Sequence, residues 1–108
     1  MKIFLDDERF PAAGDDMTIV RSYYGFCLLI KHLNLASEPQ KIEFISFDHD
    51  LGPNMSGLDC AKFLVSYDMD HNILTKGFTF YVHSQNPVGK ANIEGYLNNY
   101  LDTKFGGF

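Results

Sequence analysis

Phe44-Ile45-Ser46-Phe47-Asp48-His49-Asp50-Leu51-Gly52 decides how this 108-residue chain is read. A short, mostly apolar run breaks into ionisable residues and then a glycine turn. Such a run, flanked by helix-like segments, reads as a buried strand of a parallel sheet. The pattern occurs twice more. Ile3-Phe4-Leu5 runs into Asp6-Asp7-Glu8-Arg9, and Phe80-Tyr81-Val82 runs into His83-Ser84-Gln85-Asn86-Pro87. In open parallel sheets, ligands bind beyond the carboxyl ends of the strands. The three polar bursts are therefore expected to meet at one edge of one sheet.

Between these anchors the remaining elements follow. Lys2–Leu5 reads as a strand, Asp6 to Met17 as a long loop with Pro11 and Gly14, and Thr18–Val20 as a second short strand. Ser22 is a suitable N-cap for a helix from Tyr23 to Asn34, with Phe26, Leu29, Ile30 and Leu33 on its apolar face. A third strand spans Glu43–Phe47. The Asp48–Ser56 loop contains Gly52, Pro53 and Asn54. Ser56 and Asp59 form a capping box opening a helix from Gly57 to Asp70, whose buried stripe is Leu58, Ala61, Leu64 and Val65. His71 to Gly77 reads as a connection to a last strand, Phe78–Val82. Asn86 followed by Pro87 starts a third helix, and Gly106-Gly107 marks a frayed end. The order β-β-α-β-α-β-α predicts a single α/β domain over residues 1–108. Its expected form is a three-layer sandwich on a four-stranded, mostly parallel sheet of order 2-1-3-4, a truncated receiver or flavodoxin-like fold.

Composition narrows the function classes. A net charge of -5 lacks the basic face that duplex DNA requires. It still permits a nucleotide or an RNA end, because a metal ion inverts the local sign. No apolar stretch reaches the length of a membrane span, and Met1-Lys2-Ile3 opens directly into a strand, so a cytoplasmic protein without a membrane partner is expected. Cys27 and Cys60 sit among apolar helix residues and read as small buried hydrophobes; their spacing suggests no zinc site.

The polar bursts carry the chemistry. Carboxylates crowded at neighbouring strand ends repel unless a cation joins them, which suits Mg²⁺ or Mn²⁺. Asp6, Asp48 and Asp50 are the expected ligands, with Asp7 a further one; Asp7 and Asp50 have the alternative of capping their own loops. His83 ends the last strand and suits general acid–base work. His49 lies between two acids, but strand alternation also allows it to pack under a helix. Arg9 suits bidentate phosphate binding, against the alternative of a surface pair with Glu8 or Asp7. Ser84, Asn86 and the amides of Val88 and Gly89 at a helix start suit a phosphate oxygen, against capping alone. Asp15, Asp16, Asp68 and Asp70 read as solvated surface, and Lys90 and Lys104 as lacking patterned company.

The segments LDDER, ISFDHDLG and VHSQNPVGKANIEGYL together resemble the cyclic-phosphate-processing receiver domain family, from Ile3 to Tyr100. The resemblance implies a shortened response-regulator receiver fold of bacteria and their viruses. It implies hydrolysis or processing of cyclic phosphates on nucleotides or RNA ends. Asp6, Asp7, Asp48, His49, Asp50, His83, Ser84 and Asn86 fall on the family's site positions. Asp6-Asp7, an acid at Asp48 or Asp50, and Ser84 are also similar to the metal, phosphoacceptor and hydroxyl positions of ordinary receivers. No strand ends in Lys-Pro, however, and simple phosphorelay lacks its lysine. The leading expectation is a metal-assisted phosphoesterase with His83, His49 and Asp50 in the chemistry. The alternatives are a receiver-like signalling module and a catalytically silent protein-binding domain. Loss of activity on His83→Ala, acceptance of one phosphate by a single Asp, or binding of neither metal nor phosphate separates the three.

Overall fold

A computed structural model describes residues 1–53 and 55–106; Asn54 of the predicted loop and Gly107 of the predicted frayed end lie outside the described residues. The chain runs β1 (Lys2–Leu5), β2 (Thr18–Val20), α1 (Tyr23–Leu35), β3 (Ile42–Phe47), α2 (Gly57–His71), β4 (Leu74–Val82) and α3 (Pro87–Phe105). The sheet has the order β2-β1-β3-β4, with every neighbouring pair parallel. This is a compact α/β receiver-like fold.

Local chemistry sets the helix starts. Ser22 accepts from the Gly25 amide at 3.0 Å, and Asn86 accepts from the Gly89 amide at 3.0 Å ahead of Pro87. The Asp59 carboxylate accepts from the Ser56 amide at 2.8 Å and from its hydroxyl at 3.2 Å. The last strand begins at Leu74, four residues before the predicted start. Ile42 pairs with Leu74 but Phe44 with Thr79, so β4 bulges through Thr75-Lys76-Gly77, and these polar residues conceal the strand in the sequence.

The layering corrects one expectation. Ile3, Leu5, Ile45, Phe47 and Val82 share one core with Phe26 and Ile30 of α1, Leu64 of α2, and Ile93 and Leu97 of α3. All three helices pack on that side. The other side carries Phe4, with Ile19, Ser46 and Tyr81 in register across the sheet, and among the described residues no helix covers it. The molecule therefore has two layers where three were expected. Both strand–helix–strand crossovers, β2 to β3 and β3 to β4, advance the same way along the sheet, and right-handed connections then place both helices on one face. The β1–β2 link, which runs the other way, holds no helix.

Asp68 is a second correction. It is buried, because it continues the Ala61, Leu64, Val65 stripe of α2 toward the core. One carboxylate oxygen accepts from the Ile73 and Leu74 amides at 2.7 and 3.0 Å, and the other accepts from the Tyr100 hydroxyl and the Lys104 ammonium. Lys104 also donates to the Asn72 side chain at 2.9 Å. Asn72 holds a left-handed cap at φ 53°. This cluster ties the end of α2 to α3 and to the start of β4. Both cysteines are buried and free.

Candidate functional site

The sheet's hydrogen-bond ladder runs past the strand ends into the site. The Asp6 amide donates to Val20 at 3.1 Å, the Asp48 amide to Leu5 at 2.9 Å and the His83 amide to Phe47 at 2.9 Å. Each residue is thereby fixed to the end of a neighbouring strand. The side chains converge. Oxygens of Asp6 and Asp48 and a ring nitrogen of His83 all lie within 4.8 Å of one another.

Asp6 is fully buried, and its environment is dominated by donors. One oxygen accepts from the Glu8 and Arg9 amides, both at 2.9 Å; the other accepts from Arg9 Nε at 3.0 Å and lies 2.9 Å from His83 Nε2. Burial pushes the carboxyl pKa up, but these amides, the imidazole and the guanidinium outweigh it and hold the group down at about 2. Asp48 is 4% exposed; one oxygen caps the His49 amide at 2.9 Å and the other lies 3.7 Å from Arg9 Nη2. Arg9 thus bridges Asp6 and Asp48, in place of the surface pair with Glu8 or Asp7 weighed from sequence. Arg21 donates to the carbonyls of Asp6 and Arg9 and lies over the Phe10 ring, which pins the loop carrying them.

His83 lies on the helix-free side of the sheet. Its ring stacks on Phe4, with centroids 4.7 Å apart and planes 4° from parallel, while Nδ1 lies 2.7 Å from Ser46 Oγ. Both ring nitrogens are therefore engaged, Nδ1 by Ser46 and Nε2 by Asp6. Ser46 and Arg21 are the residues sequence reasoning passed over. For Ser46 the only signal is a hydroxyl inside an otherwise apolar strand.

The other predicted residues spread around the centre. Asp7, Glu8, Arg9, Asp48, Asp50 and Gln85 line an open cleft at the strand ends. Asp7 and Asp50 are exposed and stand outside the close group of Asp6, Asp48 and His83. His49 packs under α3: a β-carbon on Gly89 would lie 2.3 Å from its ring. Its Nδ1 pairs with Asp50 at 3.1 Å. The Gly89 amide, expected to be free for an anion, is taken by Asn86, whose own amide donates to Ser84 Oγ at 3.1 Å. Close packing also governs the start of α2, where a β-carbon on Gly57 would collide with the Asp48 carbonyl.

A family model described as the cyclic-phosphate processing receiver domain matches residues 1–99. The chain belongs to that family. Neither curated proteins nor solved structures give a match. No described helix is long and apolar enough to cross a membrane.

Proposed function

We propose that this chain is a divalent-cation-dependent phosphoesterase that opens cyclic phosphates of nucleotides or RNA ends. The observation that carries the reading is the Asp6–Asp48–His83 donor group beside a cleft that also presents Arg9. The family's description supplies the substrate class.

The residues fit a cation. Two buried carboxylates, one of them held ionised, and an imidazole nitrogen give hard and intermediate donors within reach of one ion. The imidazole favours Mn²⁺ over Mg²⁺. When bound, the ion supplies Lewis acidity toward a phosphate oxygen.

The chain's own groups do the rest. Arg9, with its side chain 45% exposed at the cleft, offsets charge on the phosphoryl oxygens. Asp50, exposed on the cleft wall and paired with His49, accepts the proton of an attacking water. The water oxygen bonds to phosphorus, one ribose P–O bond breaks, and the released ribose oxygen takes up the proton. Ser84 and Asn86 shape the turn between His83 and α3.

The test is turnover of a 2′,3′-cyclic nucleotide in Mn²⁺, followed by phosphorus NMR. Wild type should convert it to a phosphomonoester, and Asp48→Asn and His83→Gln should lose at least a hundredfold while retaining the far-UV circular dichroism of the fold. A folded wild-type chain that binds Mn²⁺ but turns over no cyclic phosphate sinks the phosphoesterase reading. Stoichiometric capture of phosphate from a small phosphodonor would favour a signalling module instead.

A further inference from the structure

Ser46 lies mid-sheet, in register with Phe4 on one side and Tyr81 on the other, and is 5% exposed. A buried hydroxyl in a strand costs stability unless it is hydrogen-bonded. Its side-chain partner is His83 Nδ1 at 2.7 Å, thirty-seven residues away in sequence. The opposite ring nitrogen, Nε2, faces the Asp6 carboxylate at 2.9 Å. An ionised carboxylate only accepts, so Nε2 carries the proton in the cation-free chain. In the neutral ring Nδ1 then accepts, and Ser46 donates.

We propose that Ser46 is the positioning residue that lets His83 exchange its Nε2 proton for a divalent cation without moving the ring. The inference rests on Asp6, Asp48 and His83 being the cation's donors. Binding through Nε2 requires that nitrogen's lone pair. The proton therefore leaves Nε2, the cation-bound ring carries its one proton on Nδ1, and Ser46, formerly the donor, accepts from it. A hydroxyl does both by rotating about one bond; a methyl does neither, and a carboxylate only accepts. The stack on Phe4 keeps the ring in place through the exchange. Partners on the far nitrogen of a metal-bound histidine are generally worth tenfold to a hundredfold in metal affinity.

The experiment compares wild type, Ser46→Ala, Ser46→Thr and Ser46→Val. Zn²⁺ affinity is read by calorimetry, and imidazole tautomers by nitrogen NMR of histidine-labelled protein, with signals assigned by their loss in His83→Gln. The Thr and Val variants differ chiefly in the hydroxyl and both suit a strand, so they keep the test alive if Ala does not fold. Wild type should show Nε2–H without the ion and Nδ1–H with it. Zn²⁺ affinity should fall about tenfold or more in Ala and Val and recover in Thr. If wild type binds Zn²⁺ and the Ala and Val variants bind it equally well, the role of Ser46 is overturned while the cation site stands. A wild-type chain that binds no Zn²⁺ and no Mn²⁺ overturns both.

Discussion

The imidazole of His83 lies flat on the ring of Phe4, with planes 4° apart, on the side of the sheet that no described helix covers. Phe4 is nonetheless only 8% exposed. The ring of the proposed donor thus shelters the apolar residue that orients it, and stability and cation binding share one contact. Phe4→Ala should cost about 3 kcal/mol in urea unfolding. Phe4→Leu should cost less than about 1.5 kcal/mol, because volume is nearly kept. Both should weaken Mn²⁺ binding, since neither offers a flat platform. Leu binding Mn²⁺ as tightly as wild type would show that the stack is packing alone.

Arg9 predicts a split between two affinities. Its guanidinium bonds Asp6 at 3.0 Å and approaches Asp48 at 3.7 Å, so it neutralises the same oxygens a cation would use. A like charge at such distances is repelled even in an aqueous cleft. Arg9→Gln should therefore bind Mn²⁺ several-fold more tightly and inorganic phosphate more weakly. Weaker Mn²⁺ binding would mean instead that Arg9 holds the carboxylates in their binding geometry.

Where local chemistry decides, the sequence is sufficient. Ser22, the Ser56–Asp59 pair and Asn86-Pro87 start the helices expected of them, and the apolar runs at Ile3, Ile45 and Phe80 become neighbouring parallel strands. The missed features depend on long-range partners. Ser46 and His83 are joined only through the sheet register, and the buried Asp68 carboxylate finds its partners Tyr100 and Lys104 on another helix. The second face was legible in principle: Ser46, Thr79 and Tyr81 alternate with apolar neighbours as on a half-covered sheet.

Asp68 predicts an acid limb of stability. Burial raises its pKa, but the Lys104 ammonium, the Tyr100 hydroxyl and the Leu74 amide outweigh that and leave it below the usual 3.8. A carboxyl whose folded pKa is depressed stabilises the fold above its unfolded pKa and loses that contribution as pH falls through the folded value. Asp68→Asn should cost about 3 kcal/mol at pH 7, because Lys104 loses its partner. The gap to wild type should begin to shrink below about pH 4, where the unfolded carboxyl takes up its proton, and close once pH has fallen through the lower folded value. Urea midpoints of both proteins between pH 7 and pH 2.5 check this, and a constant gap would assign the loss to packing.

Gly89 reverses the usual effect of glycine in a helix. Alanine at an open helical position would stabilise by about 1 kcal/mol. At this position its β-carbon would meet the His49 ring at 2.3 Å. The ring has little room to retreat, because the backbone at Asp48 and His49 is pressed against Gly57 at the start of α2. Gly89→Ala should therefore destabilise by about 1–3 kcal/mol, with Asp50 losing its imidazole partner as the ring shifts. Removing the obstacle should relieve this. His49→Ala with Gly89→Ala should unfold at a higher urea concentration than the sum of the single effects allows, by a coupling of about 1 kcal/mol or more. Simple additivity would mean that α3 yields instead of the ring, and that His49 does not fix the position of that helix.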